Sequence, residues 1–137
     1  DKTMDVSSIL GSFMYGLCPA RDKRIDAAFA TAREVFKFGD EGIVGIPRYE
    51  NDNYLRPEGG PPNWWFVTTL WLAQYELGSG RREQAEEILR WTRDSAWPTG
   101  VLAEQVNPKS RQEVSVSPLN WSQAEYVSTL LDTITEK

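Results

Sequence analysis

The residues best able to do chemistry sit in two long polar stretches. Residues 39–61 read GDEGIVGIPRYENDNYLRPEGGP and hold Arg48, Tyr49, Asp52 and Tyr54. A guanidinium and a carboxylate exchange hydrogen bonds in fixed geometry, and tyrosine rings offer flat faces. Together these residue types suit a polyol such as a sugar. The glycines at 39, 42 and 45 lack the G-x-G-x-x-G spacing and follow a helical run, so a dinucleotide reading fails. The Asp and Asn residues lack the alternation of a calcium loop. Residues 98–117 read PTGVLAEQVNPKSRQEVSVS, where Glu104 follows Val101, Leu102 and Ala103. A locally apolar setting of that kind disfavours a carboxylate's charged form. Both stretches also fit a plainer reading, a solvated loop with local ion pairs, and neither by itself identifies an activity.

Composition narrows the chemistry further. The chain has no histidine, which removes Ser-His-Asp and Cys-His catalysis and His-ligated zinc. Its single cysteine, Cys18, permits neither an internal disulfide nor a Cys-cluster metal site, and reads as a small core residue. No metal or cofactor is expected. Tryptophan is abundant, with six residues at 64, 65, 71, 91, 97 and 121, a residue type that fills cores or stacks on sugar faces. Asn120-Trp121-Ser122 matches a glycosylation sequon but lies at the start of a helix, and chance is the better explanation.

Five helical segments must position these groups. The first runs from Val6 to Leu17, with Val6, Ile9, Leu10, Phe13, Met14 and Leu17 at helical spacing. The second, capped by Asp22 or a neighbour, runs to about Phe38 with Ile25, Ala28, Phe29, Ala32, Val35 and Phe36 on one stripe. The third begins near Pro61-Pro62-Asn63 and is apolar almost all round. The fourth, Arg81 to about Trp97, turns Ala85, Ile88, Leu89 and Thr92 inward and carries an exposed Glu86–Arg90 pair. The fifth starts around Ser117–Asn120 and sets Trp121, Ala124, Val127, Leu131 and Ile134 on one side.

A helix apolar on every side must be covered on every side, whereas a two-faced one lies between core and water. The order is thus buried, surface, buried, surface, then a fifth of intermediate polarity. That is the pattern of an all-α protein built from helical hairpins in an inner and an outer layer. Buried-to-surface connections are short and surface-to-buried ones long, so antiparallel stacking brings both long loops to the same end. Long structureless loops are usually functional.

The chain's 137 residues are enough for one core that buries about two-thirds of the unfolded surface. Fifteen basic against 20 acidic side chains give a net charge of −5, which argues against nucleic acid as a partner. The basic residues Arg21, Lys23 and Arg24 are interrupted by Asp22 and Asp26. No apolar run is long enough to suggest a membrane span, and none reads as a signal peptide. A sequence that starts at Asp1 leaves the compartment open.

Four segments in order and spacing carry a family resemblance: GIPRYENDNY, PPNWWFVTTLWLAQY, TGVLAEQVNPKS and SPLNWSQAEYV. They resemble the C-terminal part of the catalytic domain of glycoside hydrolase family 15, the glucoamylases, glucodextranases and some trehalases. The earlier stretch DVSSILGSFMYGLCPARDKRIDAAF resembles the hairpin that precedes them. The resemblance implies an (α/α)6 toroid and inverting hydrolysis of α-glucosidic bonds by two carboxylic acids. It matches Glu104, followed by Gln105, to the family's general base, and Arg48, Tyr49 and Asp52 to its substrate-contacting Arg-Tyr-x-x-Asp segment. Asn63 and Trp65 match its Asn-x-Trp, while Leu119, Trp121 and Ser122 match a segment whose Trp lines the pocket. Trp64 stands where many members have proline.

No residue matches the family's general acid, which lies on an earlier loop. The resemblance therefore implies a single segment, residues 1–137, from the C-terminal part of a larger catalytic domain. About five helices form an incomplete ring that carries the base without the acid. Its substrate would be an α-glucan or α-glucoside, and its partner the missing N-terminal part or a self-associated copy. Two rival readings are a non-catalytic helical-hairpin scaffold, against which no repeat of about 34 residues recurs, and a catalytically dead carbohydrate-binding remnant.

Overall fold

The computed structural model describes residues 2–40, 42 and 44–135. Five helices carry the fold: α1 (Val6–Met14), α2 (Lys23–Phe36), α3 (Phe66–Gly78), α4 (Arg82–Ser95) and α5 (Asn120–Thr135). Each start has a local cause. Asp5 caps α1 by accepting from the Ser7 amide at 2.9 Å, and Asp22 caps α2 by accepting from Arg24 N at 2.8 Å. α2 stops at Phe36 rather than Phe38 because Lys37 turns left-handed at φ 55° and its N–H closes back on the Arg33 carbonyl.

The layering follows the polarity pattern. α3 is buried along nearly its whole length and packs against α1, α4 and α5, with α2 and α4 on the outside. α4 buries only Ala85, Ile88, Leu89 and Thr92, the stripe its sequence predicts. One apolar cluster joins Val6, Leu10, Ile25, Phe29, Leu72 and Ala85 across the first four helices. Within it Phe29 stacks on Tyr75 with ring centres 3.6 Å apart, and the Tyr75 hydroxyl donates to Asp26 at 2.7 Å. Glu76, also buried in α3, is paired with Arg33 at 3.6 Å and with Arg81. No helix among the described residues is long and apolar enough to cross a membrane.

Two helices depart from expectation. α1 ends at Met14, not Leu17. The chain turns through Gly16 at φ 72°, leaving Met14, Tyr15 and Leu17 exposed rather than in the core. In α5 the apolar stripe points outward. Ser122, Thr129 and Thr133 face the protein, while Trp121, Val127, Leu131 and Ile134 are each more than half exposed. Small polar side chains let α5 lie close to α3, and Gln74 of α3 donates to Thr129 at 3.0 Å and to Glu125 at 2.8 Å.

The third helix also begins later than its composition suggests, because Trp64 and Trp65 are extended. They form β1 (Trp64–Trp65), which pairs antiparallel with β2 (Gln105–Val106), and β2 pairs with β3 (Glu113–Val114) in the order β1-β2-β3. The register aligns Trp64 with Val106 and Glu113, and Trp65 with Gln105 and Val114. Side chains opposite one another share a face of a sheet. One face therefore carries Trp64, Val106 and Glu113, and the other Trp65, Gln105 and Val114. Trp64 and Val106 close a second apolar cluster with Phe66, Leu102 and Ala103, flanked by Trp91 of α4. Gly45 presses against the Trp64 ring so closely that a Cβ there would lie 2.6 Å from its carbons.

Candidate active-site rim

The small sheet joins the ends of the two long loops, so both reach one rim. The first loop is tied down on three sides. Val6 N donates to the Arg48 carbonyl at 2.9 Å and Glu50 N to the Met4 carbonyl at 2.8 Å. Ile46 accepts from Trp65 N at 3.0 Å and from the Thr68 hydroxyl at 3.1 Å, and its own N–H donates to Thr69 Oγ1 at 3.1 Å. In the second loop, Glu104 N donates to the Val116 carbonyl at 3.0 Å, and the Glu104 carbonyl accepts from Phe66 N at 3.3 Å. That last bond satisfies an amide in the first turn of α3, which has no side-chain cap.

On this frame Arg48 and Asp52 form a two-pronged pair. Arg48 Nε donates to Asp52 Oδ2 at 2.8 Å and Nη2 to Oδ1 at 2.9 Å, while Tyr54 N donates to Oδ1 at 3.1 Å. Asp52 is 2% exposed. Burial pushes its carboxyl up, but the Arg48 hydrogen bonds, the Tyr54 amide and the Arg48 charge together hold it below the ordinary carboxylate value. The same hydrogen bonds hold the Arg48 guanidinium above its usual value despite partial burial. Aromatic rings surround the guanidinium, with Trp65 at 4.0 Å, Tyr49 at 5.2 Å and Tyr54 at 5.4 Å from carbon to ring centre. Asp52 thus orients Arg48 and leaves it partly open to a ligand.

Glu104 is half-buried, and its neighbourhood is polar rather than apolar. Leu102 and Ala103 point into the core, whereas the Glu104 carboxylate accepts from Ser115 Oγ at 2.5 Å and from Gln105 Nε2 at 3.1 Å, both on Oε2. Among the described residues no hydrogen bond reaches Oε1. Gln105 is fully buried and is fixed in turn by Asn63, whose Nδ2 donates to Gln105 Oε1 at 3.0 Å and to the Leu55 carbonyl at 3.0 Å. The Glu104 charge also acts on Arg48. A carboxylate with one oxygen clamped and one open can accept a proton from water, beside a guanidinium that can donate to hydroxyls.

The structure thus brings together Arg48, Tyr49, Asp52, Trp65, Gln105 and Glu104. Trp121 lies at the start of α5, where no hydrogen bond or ring contact among the described residues links it to that group. It meets Trp71 of α3 edge-on at 5.7 Å and donates from Nε1 to Glu125 at 3.0 Å. Leu119 N, two residues earlier, donates to the Leu102 carbonyl at 3.0 Å and ties this end of α5 to the Glu104 loop. Sequence reasoning missed Ser115. It sits eleven positions after Glu104 and reaches it only because β2 and β3 pair, with Ser115 itself left-handed at φ 73°.

In sequence the chain is 28% identical over 140 residues to an uncharacterized glycosyl hydrolase of Methanocaldococcus jannaschii, a match covering 93% of this chain and 21% of that protein. In structure it is similar to a wild-type glycosidase (TM-score 0.74, 24% identity) and to a glycosidase in complex with glucose (TM-score 0.75, 23% identity). Each match covers 97% of this chain and 36% of the other. A further glycosidase variant matches at TM-score 0.67 and 28% identity over 94% of this chain and 35% of that one. No protein-family model matches. The chain therefore shares the fold of part of a glycosidase, and spans about a fifth of its curated relative and about a third of the solved chains.

Proposed function

We propose that this chain is the C-terminal portion of the catalytic domain of an inverting, exo-acting α-glycoside hydrolase of family 15, with Glu104 as general base. The observation that carries the reading is the convergence of two sequence-distant loops. The clamped Glu104 carboxylate and the Asp52-held Arg48 stand on one rim, joined through Gln105 and Asn63. Open Oε1 takes the proton of a water that attacks the anomeric carbon of a terminal glucose unit. Arg48 donates to sugar hydroxyls, and Tyr49, Trp65 and Trp121 supply flat walls for the ring. The likeness to a glycosidase solved with glucose supports this substrate class.

Inversion needs a second carboxyl, a general acid, roughly 6.5–9.5 Å from the base across the sugar. The resemblance matches no residue of this chain to that role, and we assign it to another part of the catalytic domain. The outward stripe of α5 and the exposed Met14 and Leu17 of the first hairpin are covered by that part, or by a second copy when the chain is alone. The test is glucose release from maltooligosaccharides by the complete enzyme, with and without Glu104→Gln. We expect a loss of about 10²–10⁴-fold in kcat. Undiminished turnover overturns the assignment of the base.

A further inference from the structure

A second cavity lies on the far side of the sheet from the rim, with a volume of 650 Å³. Its walls come from the end of α4 and the residues after it (Trp91, Asp94, Trp97) and from the second loop (Arg111, Gln112, Glu113). This is the face of the sheet that carries Trp64, Val106 and Glu113, so β1, β2 and β3 separate the cavity from Arg48 and Trp65.

Its chemistry is specific enough to name a ligand class. Trp97 is 53% exposed, and its backbone is pinned: Trp97 N donates to the Val101 carbonyl at 3.0 Å, and Gly100 N donates back to the Trp97 carbonyl at 2.7 Å. A half-exposed indole on a fixed backbone is a stacking platform. The same walls carry a carboxamide, a guanidinium and two carboxylates, so donors and acceptors are both present; Asp94 is itself paired with Arg93 at 2.8 Å. Polar groups around the mouth disfavour a purely apolar guest, whereas a neutral ring with one flat C–H face and a fringe of hydroxyls meets every wall. The Trp91 indole N–H, in the wall, is buried and has no hydrogen-bond partner among the described residues. Glu113 accepts from Ala103 N at 3.1 Å, which fixes the floor to the segment that leads through Glu104 into β2. Arg111 lies over the Trp64 ring at 5.0 Å and donates to the Gly42 carbonyl at 3.3 Å, so its guanidinium is held in place.

We infer that this cavity is a second saccharide-binding site, in which Trp97 stacks on a sugar ring while Gln112 and Asp94 bond its hydroxyls. The inference does not depend on the role of Glu104, because it concerns binding at a separate surface.

The test is nuclear magnetic resonance of the protein titrated with maltotriose to about 10 mM, enough to fill a site of millimolar affinity. The expected result is a shift of the Trp97 indole N–H and of backbone amides at 94–97 and 111–113. Trp97→Ala should weaken that binding about tenfold or more, and Arg48→Ala should leave it unchanged. Gln112→Ala, at an exposed position whose backbone bonding is retained, should weaken it about two- to tenfold with no loss of folding. Absence of shifts at these residues overturns the inference, as does binding that survives Trp97→Ala and vanishes with Arg48→Ala. Failure here leaves the glucose-release test on Glu104 unaffected.

Discussion

Replacing Asp52 by asparagine probes the frame of the candidate site directly. In the wild type three donors converge on two carboxylate oxygens: Arg48 Nη2 and Tyr54 N on Oδ1, and Arg48 Nε on Oδ2. An asparagine carbonyl placed at Oδ1 serves two of them and sets an amide N–H₂ against the third. One orphaned buried donor costs about 1–3 kcal/mol, and losing half of a buried ion pair adds to it. Arg48 is about one-third exposed, and water offsets part of that second cost. The expected loss is about 2–4 kcal/mol, or a fall in Tm of roughly 10 °C for a chain of this size. Because the folded Asp52 carboxyl lies below its unfolded value, its contribution is fully present above about pH 5 and is lost as pH falls through the folded value. Urea denaturation of the wild type and Asp52→Asn, repeated at descending pH, should show a gap that is widest near neutrality and narrows in acid. A difference below about 0.5 kcal/mol near neutrality, or a gap that does not narrow, refutes the account of Asp52 as the charged anchor of Arg48.

Two further outcomes follow from the same geometry. Ser115→Ala removes the shortest bond to Glu104, so kcat of the complete enzyme should fall about tenfold with KM little changed. Gly45→Ala places a methyl against the Trp64 ring and should destabilise the chain by about 1–3 kcal/mol in thermal unfolding, with tryptophan fluorescence reporting the displaced indole.

Much of this architecture is legible in the residues, for physical reasons that also explain the gaps. α2, α3 and α4 are long enough for their polarity period to be read, and the faces they bury are those their sequences predict, apart from Val35 near the end of α2, which is exposed. The first helix was harder, because Leu17 continues the period after Gly16 has already turned the chain. α5 misleads because its polar residues are small. Serine and threonine can line a tight helix–helix seam when they bond locally, as Thr129 does to the Glu125 carbonyl at 2.7 Å. Strands of two residues carry no period at all, so the sheet was invisible. With it went the link between Glu104 and Ser115 and the partition of Trp64 from Trp65. The Arg48–Asp52 pair was visible because four residues of local chain separate its members, whereas Asn63 and Gln105 meet across 42.

The seam between α3 and α5 leaves an apolar ridge on the outside. Val127, Leu131 and Ile134 each keep more than half of their surface away from the interior of this body. Polar replacements along that ridge would make the isolated polypeptide easier to keep in solution and change its own melting little. Under the proposed function, the same changes would weaken its union with the rest of the catalytic domain.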